Sequence, residues 1–169
     1  MAAGDPITSS DAWTVADYTT NKAMVRLVTN ATQSLASGAD VAINFATEDW
    51  DTIGAHDNTT NPSRITPNVA GYYKITGSLA MSSSALYNTI DVWIRKNGTT
   101  MIQPFVRTVE AQIAGIRVKQ VSCTVTLNGG TDYIELMGRQ TQTSGGAAVN
   151  TQASIGVFSV LEANFERPL

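Results

Sequence analysis

Ile90-Asp91-Val92-Trp93-Ile94-Arg95-Lys96-Asn97-Gly98 decides how this chain is read. Its aliphatic residues occupy every second position, the period that sends successive side chains to opposite faces of a strand. The run stops at Asn97-Gly98, a pair that accepts positive φ at both central positions of a tight turn, so a hairpin is predicted there. The same alternation recurs in Val41, Ile43 and Phe45 and along the stretch from Ile116 to Leu127, which ends at Asn128-Gly129-Gly130. Tyr133-Ile134-Glu135-Leu136-Met137 then restarts a strand, which predicts a second hairpin. A last strand carries Ile155, Val157, Ser159 and Leu161 on one face and Phe158 and Val160 on the other. That two-sided apolar pattern predicts burial on both faces.

Between these runs lie polar loops, from Gly54 to Ser63, from Ser82 to Asn88, and from Gln140 to Asn150 with Gly145-Gly146 at the tip. Loops of this kind carry contacts more often than the elements they join. Many short strands separated by turn signals point to a sandwich or jelly roll rather than to βαβ units. The first 35 residues are less regular. Asp11 is placed to cap a short helix from Trp13 to Ala23, with Val25 to Thr32 as the opening strand, but Met24, Leu27, Val28 and Ala31 fit a helical period equally well. Trp13 and Tyr18 sit in a segment too short to form its own core, so they must pack on this domain or on a partner.

Composition narrows the function classes. The 169 residues suit one domain, and a 43% hydrophobic share is enough for a core without disulfides or metals. Only 15% of residues are charged, and Thr, Ser, Asn and Gly fill the deficit, which favours strands and turns. Eleven basic residues are scattered among fourteen acidic ones, so no nucleic-acid-binding stripe is present. Cys123 is the single cysteine, which excludes an intrachain disulfide and a thiolate zinc site, and its place in an alternating strand marks it as a buried structural thiol. The opening residues have neither a basic nor an apolar signal region, and no stretch is long enough to span a bilayer. Synthesis in the cytoplasm without a signal peptide, and no membrane partner, are therefore expected. The three Asn-X-Thr sequons, at Asn30, Asn58 and Asn97, are read as chance in a Thr-rich chain.

A search for catalytic chemistry finds little. His56 is the only histidine, in Gly54-Ala55-His56-Asp57-Asn58, and without a nucleophile motif it reads as a solvated or loop-bracing residue. Asp49, Asp51 and Asp57 offer oxygens to calcium but lack the loop spacing that fixes such ligands, and Glu48 with Asp51 reads as surface carboxylates beside a turn. Gly129-Gly130 and Gly145-Gly146 lie between strands, so phosphate cradling at a helix start is not expected. The chain is read as a non-enzyme without cofactor or metal. Phe45, Tyr72, Tyr73, Trp93 and Phe158 are the candidate core anchors.

One set of residues carries a resemblance: Gln33-Ser34-Leu35, Val41-Ala42-Ile43-Asn44-Phe45, Trp50-Asp51-Thr52, His56-Asp57, Pro62-Ser63-Arg64-Ile65-Thr66, Gly71-Tyr72-Tyr73-Lys74-Ile75, Arg95-Lys96-Asn97-Gly98 and Gly129-Gly130-Thr131-Asp132-Tyr133-Ile134. Their order and spacing resemble the C1q/tumour-necrosis-factor-like jelly rolls, above all those of bacteriophage structural proteins, over about residues 25 to 161. The most specific part is the aspartate-turn-histidine loop followed by the Gly-Tyr-Tyr strand. The resemblance implies an all-β jelly-roll β-sandwich of about eight to ten antiparallel strands. It also implies a homotrimer. The collagen-like stem of secreted complement-type members is absent, and a short arm stands in its place.

These expectations divide the chain into an N-terminal arm, residues 1–24, and a jelly-roll domain, residues 25–169. The expected role is a virion structural protein: a trimeric capsid decoration, or cement, protein on the outer head of a bacteriophage. Ile7, Trp13, Val15 and Tyr18 of the arm would grip the major capsid protein. The alternative is a head- or tail-fibre module whose loops recognise a host-surface saccharide or protein receptor. A jelly-roll hydrolase or isomerase ranks last, because the histidine-rich metal set of such enzymes is missing.

Overall fold

The computed structural model describes residues 22–169 apart from Gln112, Gly145 and Ile155. Ile7, Trp13, Val15 and Tyr18, and most of the helix considered for Trp13 to Ala23, lie outside the described residues. In chain order the strands are β1 (Met24–Val28), β2 (Ser34–Leu35), β3 (Val41–Ala42), β4 (Thr47–Asp51), β5 (Arg64–Ile65), β6 (Ala70–Met81) and β7 (Tyr87–Lys96). They continue with β8 (Thr100–Val109), β9 (Arg117–Asn128), β10 (Ile134–Gln142), β11 (Val149–Asn150), β12 (Ala153–Ser154), β13 (Val157–Phe158) and β14 (Val160–Arg167). One five-stranded sheet runs β4-β1-β14-β6-β9; the other runs β3-β10-β7-β8, with β5 also paired to β10. All pairings between the named strands are antiparallel. The fold is the jelly-roll sandwich that the alternation predicts, and no helix among the described residues is long and apolar enough to cross a membrane.

The core lies between the two sheets. Leu27, Tyr73, Ile75, Leu79, Leu161, Ala163 and Phe165 face inward from the first sheet, and Ile90, Val92, Ile94, Ile134 and Leu136 from the second. Two glycines let the sheets approach. A Cβ on Gly77 of β6 would stand 2.5 Å from Leu136 Cδ1 on the opposite sheet, and one on Gly138 of β10 would stand 2.9 Å from Leu79 Cδ2. Each glycine thus receives a leucine from across the core. Gly71 likewise makes room for the Phe165 ring, which meets Tyr73 edge-on with centroids 5.4 Å apart.

Several expectations change in detail. Asn97 and Gly98 have φ of 53° and 71° and close the β7–β8 hairpin, as their sequence predicts. The turn at Asn128-Gly129-Gly130 does not form a hairpin: β9 pairs with β6 in one sheet and β10 with β7 in the other, so the chain crosses the sandwich there. Asn128 Oδ1 accepts from the N–H groups of Gly130, Thr131 and Asp132, fixing the crossover. β14 runs on to Arg167, and its burial is one-sided: Leu161, Ala163 and Phe165 are inside, whereas Val160 and Glu162 are half-buried. Ala23 is fully buried and Met24 opens β1, so both belong to the sandwich rather than to the arm.

Of the five expected anchors, Phe45 and Tyr73 are in the core. Tyr72 is only half-buried on the outward face of the first sheet, where the Arg167 guanidinium lies 3.9 Å from its ring centroid. Phe158 is half-buried in the small β12–β13 ribbon. Trp93 is buried but lies between the inward residues Val92 and Ile94, which puts it on the outward face of its sheet, 5.3 Å from the Phe105 ring.

Candidate interaction surfaces

The three loops singled out from the sequence do not form one surface. Gly54–Ser63 precedes the start of β6 and Ser82–Asn88 follows its end, and a strand of twelve residues separates them by roughly 40 Å. Ser82–Asn88 and Gln140–Asn150 do meet: the Thr143 N–H donates to Leu86 O at 3.0 Å and the Ser82 N–H to Asn150 O at 2.9 Å. At that pole the apolar side chains Leu86, Val109, Ile113 and Val118 are exposed. Alternation alone does not mark Ile113, which lies in a connection outside any strand.

At the other pole Asp51, Asp57 and His56 are used to hold backbone. Asp51 Oδ1 accepts from the Ile53 N–H at 3.1 Å and its Oδ2 from the His56 N–H at 2.9 Å. His56 Nδ1 lies 2.8 Å from Arg64 O and its Nε2 3.1 Å from Phe45 O. Asp57 Oδ1 accepts from the N–H groups of Thr59 and Thr60, and these bonds, that from Thr60 foremost, hold its carboxyl below the usual range. Asp49 pairs with Arg26 at 2.9 Å. The three aspartates therefore serve separate partners, and among the described residues no group of three or more His, Cys, Asp or Glu side chains is placed to hold a metal ion. A shallow groove of about 260 Å³ opens beside His56, Asp57, Asn61 and Arg64.

The two outward sheet faces differ in chemistry. On the first, Thr76, Ser78, Gln120, Ser122, Thr124 and Thr126 present hydroxyls and an amide, with Arg26 bridging Asp49 and Glu162 beside them. A depression of about 180 Å³ lies among Arg26, Ser78, Gln120 and Glu162. On the second face, Arg107 grips the fully buried Asp91 through two bonds of 2.9 and 2.8 Å, and Arg95 with Arg64 flanks the nearly buried Glu135. Two of these arginines also meet rings: Arg64 lies 4.0 Å from the Tyr133 centroid and Arg107 5.5 Å from that of Phe105. Cys123 is half-buried on β9, and burial pushes its thiol up to about 11.

No protein-family model matches the chain, and no curated protein sequence matches it. Solved structures do. The structure of Eiger TNF from S. frugiperda superposes with a TM-score of 0.60 at 12% identity, covering 88% of this chain and 94% of the other. Murine APRIL, in its crystal structure at pH 5.0, gives a TM-score of 0.60 at 10% identity, covering 86% of this chain and all of the other. At such identities the likeness concerns architecture alone. The chain has the fold of the tumour-necrosis-factor-like jelly rolls.

Proposed function

We propose that this protein is a non-enzymatic structural component of a bacteriophage virion, a homotrimeric decoration protein seated on the outer capsid surface. The observation that carries this reading is a TNF-like jelly roll whose polar side chains are spent on architecture. His56, Asp51 and Asp57 are committed to main-chain hydrogen bonds, which suits a scaffold better than a catalyst. The trimer follows from the resemblance, and the hydroxyl-lined face of the first sheet offers a broad surface for a neighbouring copy. The arm bearing Ile7, Trp13, Val15 and Tyr18 would order on the major capsid protein, recovering its conformational entropy by burying the aromatics. Cryo-electron microscopy of the particle tests the reading: trimers over the head are expected, and density confined to the tail tip overturns it. Light scattering of the full chain and of residues 22–169 is expected to give three times the chain mass for both.

The second reading, a head- or tail-fibre module binding a host saccharide or protein, is favoured by the exposed Leu86 where two loops converge and by the exposed Val109, Ile113 and Val118. Saturable adsorption of the isolated protein to host cells would select it over decoration.

A further inference from the structure

The His56 ring stands between two oxygens that can only accept. Nδ1 is 2.8 Å from Arg64 O and Nε2 is 3.1 Å from Phe45 O. A neutral imidazole has one N–H and one lone pair, so it serves one carbonyl and turns a lone pair on the other; imidazolium donates to both. We infer that His56 is a proton-operated clasp for the loop between β4 and β5: the protonated ring ties Arg64 at the loop's end to Phe45 in the core, and loss of a proton releases one of the two ties.

The surrounding bonds show what the clasp holds. The Phe45 N–H donates to Pro62 O at 2.7 Å, so the peptide groups flanking this buried phenylalanine hold the loop from both sides. The Thr66 N–H donates to Ala55 O at 2.7 Å and Asp51 holds the His56 N–H, and neither bond depends on the ring. Opening is therefore local, a loosening of residues 56–64 on a base that stays anchored. The charged groups around the ring are Asp51 from β4, Asp57 beside it in the loop, and Arg64 from β5, whose guanidinium is turned to Glu135 of β10 at 3.6 Å. The segment between β3 and β4 contributes the Phe45 carbonyl and no charge at that point. The clasp would thus set how firmly an outward loop is presented, whichever partner the protein serves.

Because His56 is the only histidine, its ring nitrogens can be followed without overlap in untagged, ¹⁵N-labelled protein. Ring ¹⁵N shifts and amide-exchange protection of residues 56–64 would be measured from pH 5 to pH 8, the span in which histidine changes charge. Both nitrogens are expected to carry protons at the acid end. Protection, corrected for intrinsic exchange, is expected to fall roughly five-fold as the second proton is lost, the worth of one ordinary hydrogen bond. His56→Gln, with a single amide nitrogen, is expected to abolish this pH dependence while the amides of β6 keep their protection. Flat protection in the wild-type protein across the ring's titration, or an unchanged fall in His56→Gln, overturns the inference. The ring shifts and protection of the wild-type protein decide it even where the variant folds poorly.

Discussion

Replacing Gly77 by alanine tests the account of the core most directly. In a strand, alanine for glycine ordinarily stabilises by about 0.5–1 kcal/mol, because the unfolded chain loses freedom. Here the new methyl would stand 2.5 Å from Leu136 Cδ1 and 3.3 Å from both Ile94 Cδ1 and Val121 Cγ1, all in the inter-sheet core. Overpacking of that kind costs about 1–3 kcal/mol, so the sign should reverse. Leu136→Ala alone removes a fully buried side chain and should cost about 2–5 kcal/mol. In the double variant the methyl at position 77 enters space that Leu136 has vacated, so the losses should fall short of their sum by about 1 kcal/mol. Urea unfolding followed by tryptophan fluorescence would measure this at one fixed protomer concentration, because assembly shifts apparent stability. A stabilising Gly77→Ala, or losses additive within about 0.5 kcal/mol, would refute the interlocked glycine-leucine core.

Four further outcomes follow from the charged and thiol groups. The Asp132 carboxyl is held below its ordinary value of 3.8 chiefly by hydrogen bonds from Asn97 and Lys96; its folded value is depressed, so its contribution is present above that ordinary value and is lost as pH falls through the folded one. Asp132→Asn should therefore flatten the acid limb of a stability profile below about pH 4. Arg107→Ala strands the fully buried Asp91 and should lower the urea midpoint in the same assay, well beyond the effect of breaking an exposed pair. Asp40→Ala breaks an exposed pair with Arg139 and should stay within about 0.5 kcal/mol. With its thiol pushed up to about 11, Cys123 should react with a disulfide reagent at pH 8 only after unfolding, and prompt labelling of the native protein would contradict its burial on β9.

What the sequence makes legible is parity, and what it hides is partnership. Ile90, Val92 and Ile94 mark one face of β7 unambiguously, and Asn97-Gly98 marks its hairpin, because both signals are local. Parity also separates Tyr72 from Tyr73: the former keeps step with Lys74 and Thr76, the latter with Ile75, and only Tyr73 is in the core. The same period sets Phe158 apart from Ser159 and Leu161. The crossover after Asn128 is different. Alternation in β9 and β10 says which residues face inward, but inward is the same direction of burial for both sheets, so it cannot say that the two strands lie in different ones. Trp93 escapes for a related reason, since its cover, Phe105, comes from the neighbouring strand where the pairing slips between Val92 and Ile94.

The candidate site is hidden more deeply still. Both partners of the His56 ring are main-chain carbonyls, and a carbonyl has no letter in a sequence; the motif Asp51-Thr52-Ile53-Gly54-Ala55-His56 shows that a histidine follows a capped turn, not what its nitrogens meet. Yet the carbonyls are what give the ring a consequence. A side-chain hydroxyl opposite either nitrogen could rotate to donate or accept, whereas a carbonyl can only accept. Exchanging His56 for a residue with one donor nitrogen therefore removes a proton dependence and not merely a contact, which separates a clasp from an ordinary loop brace.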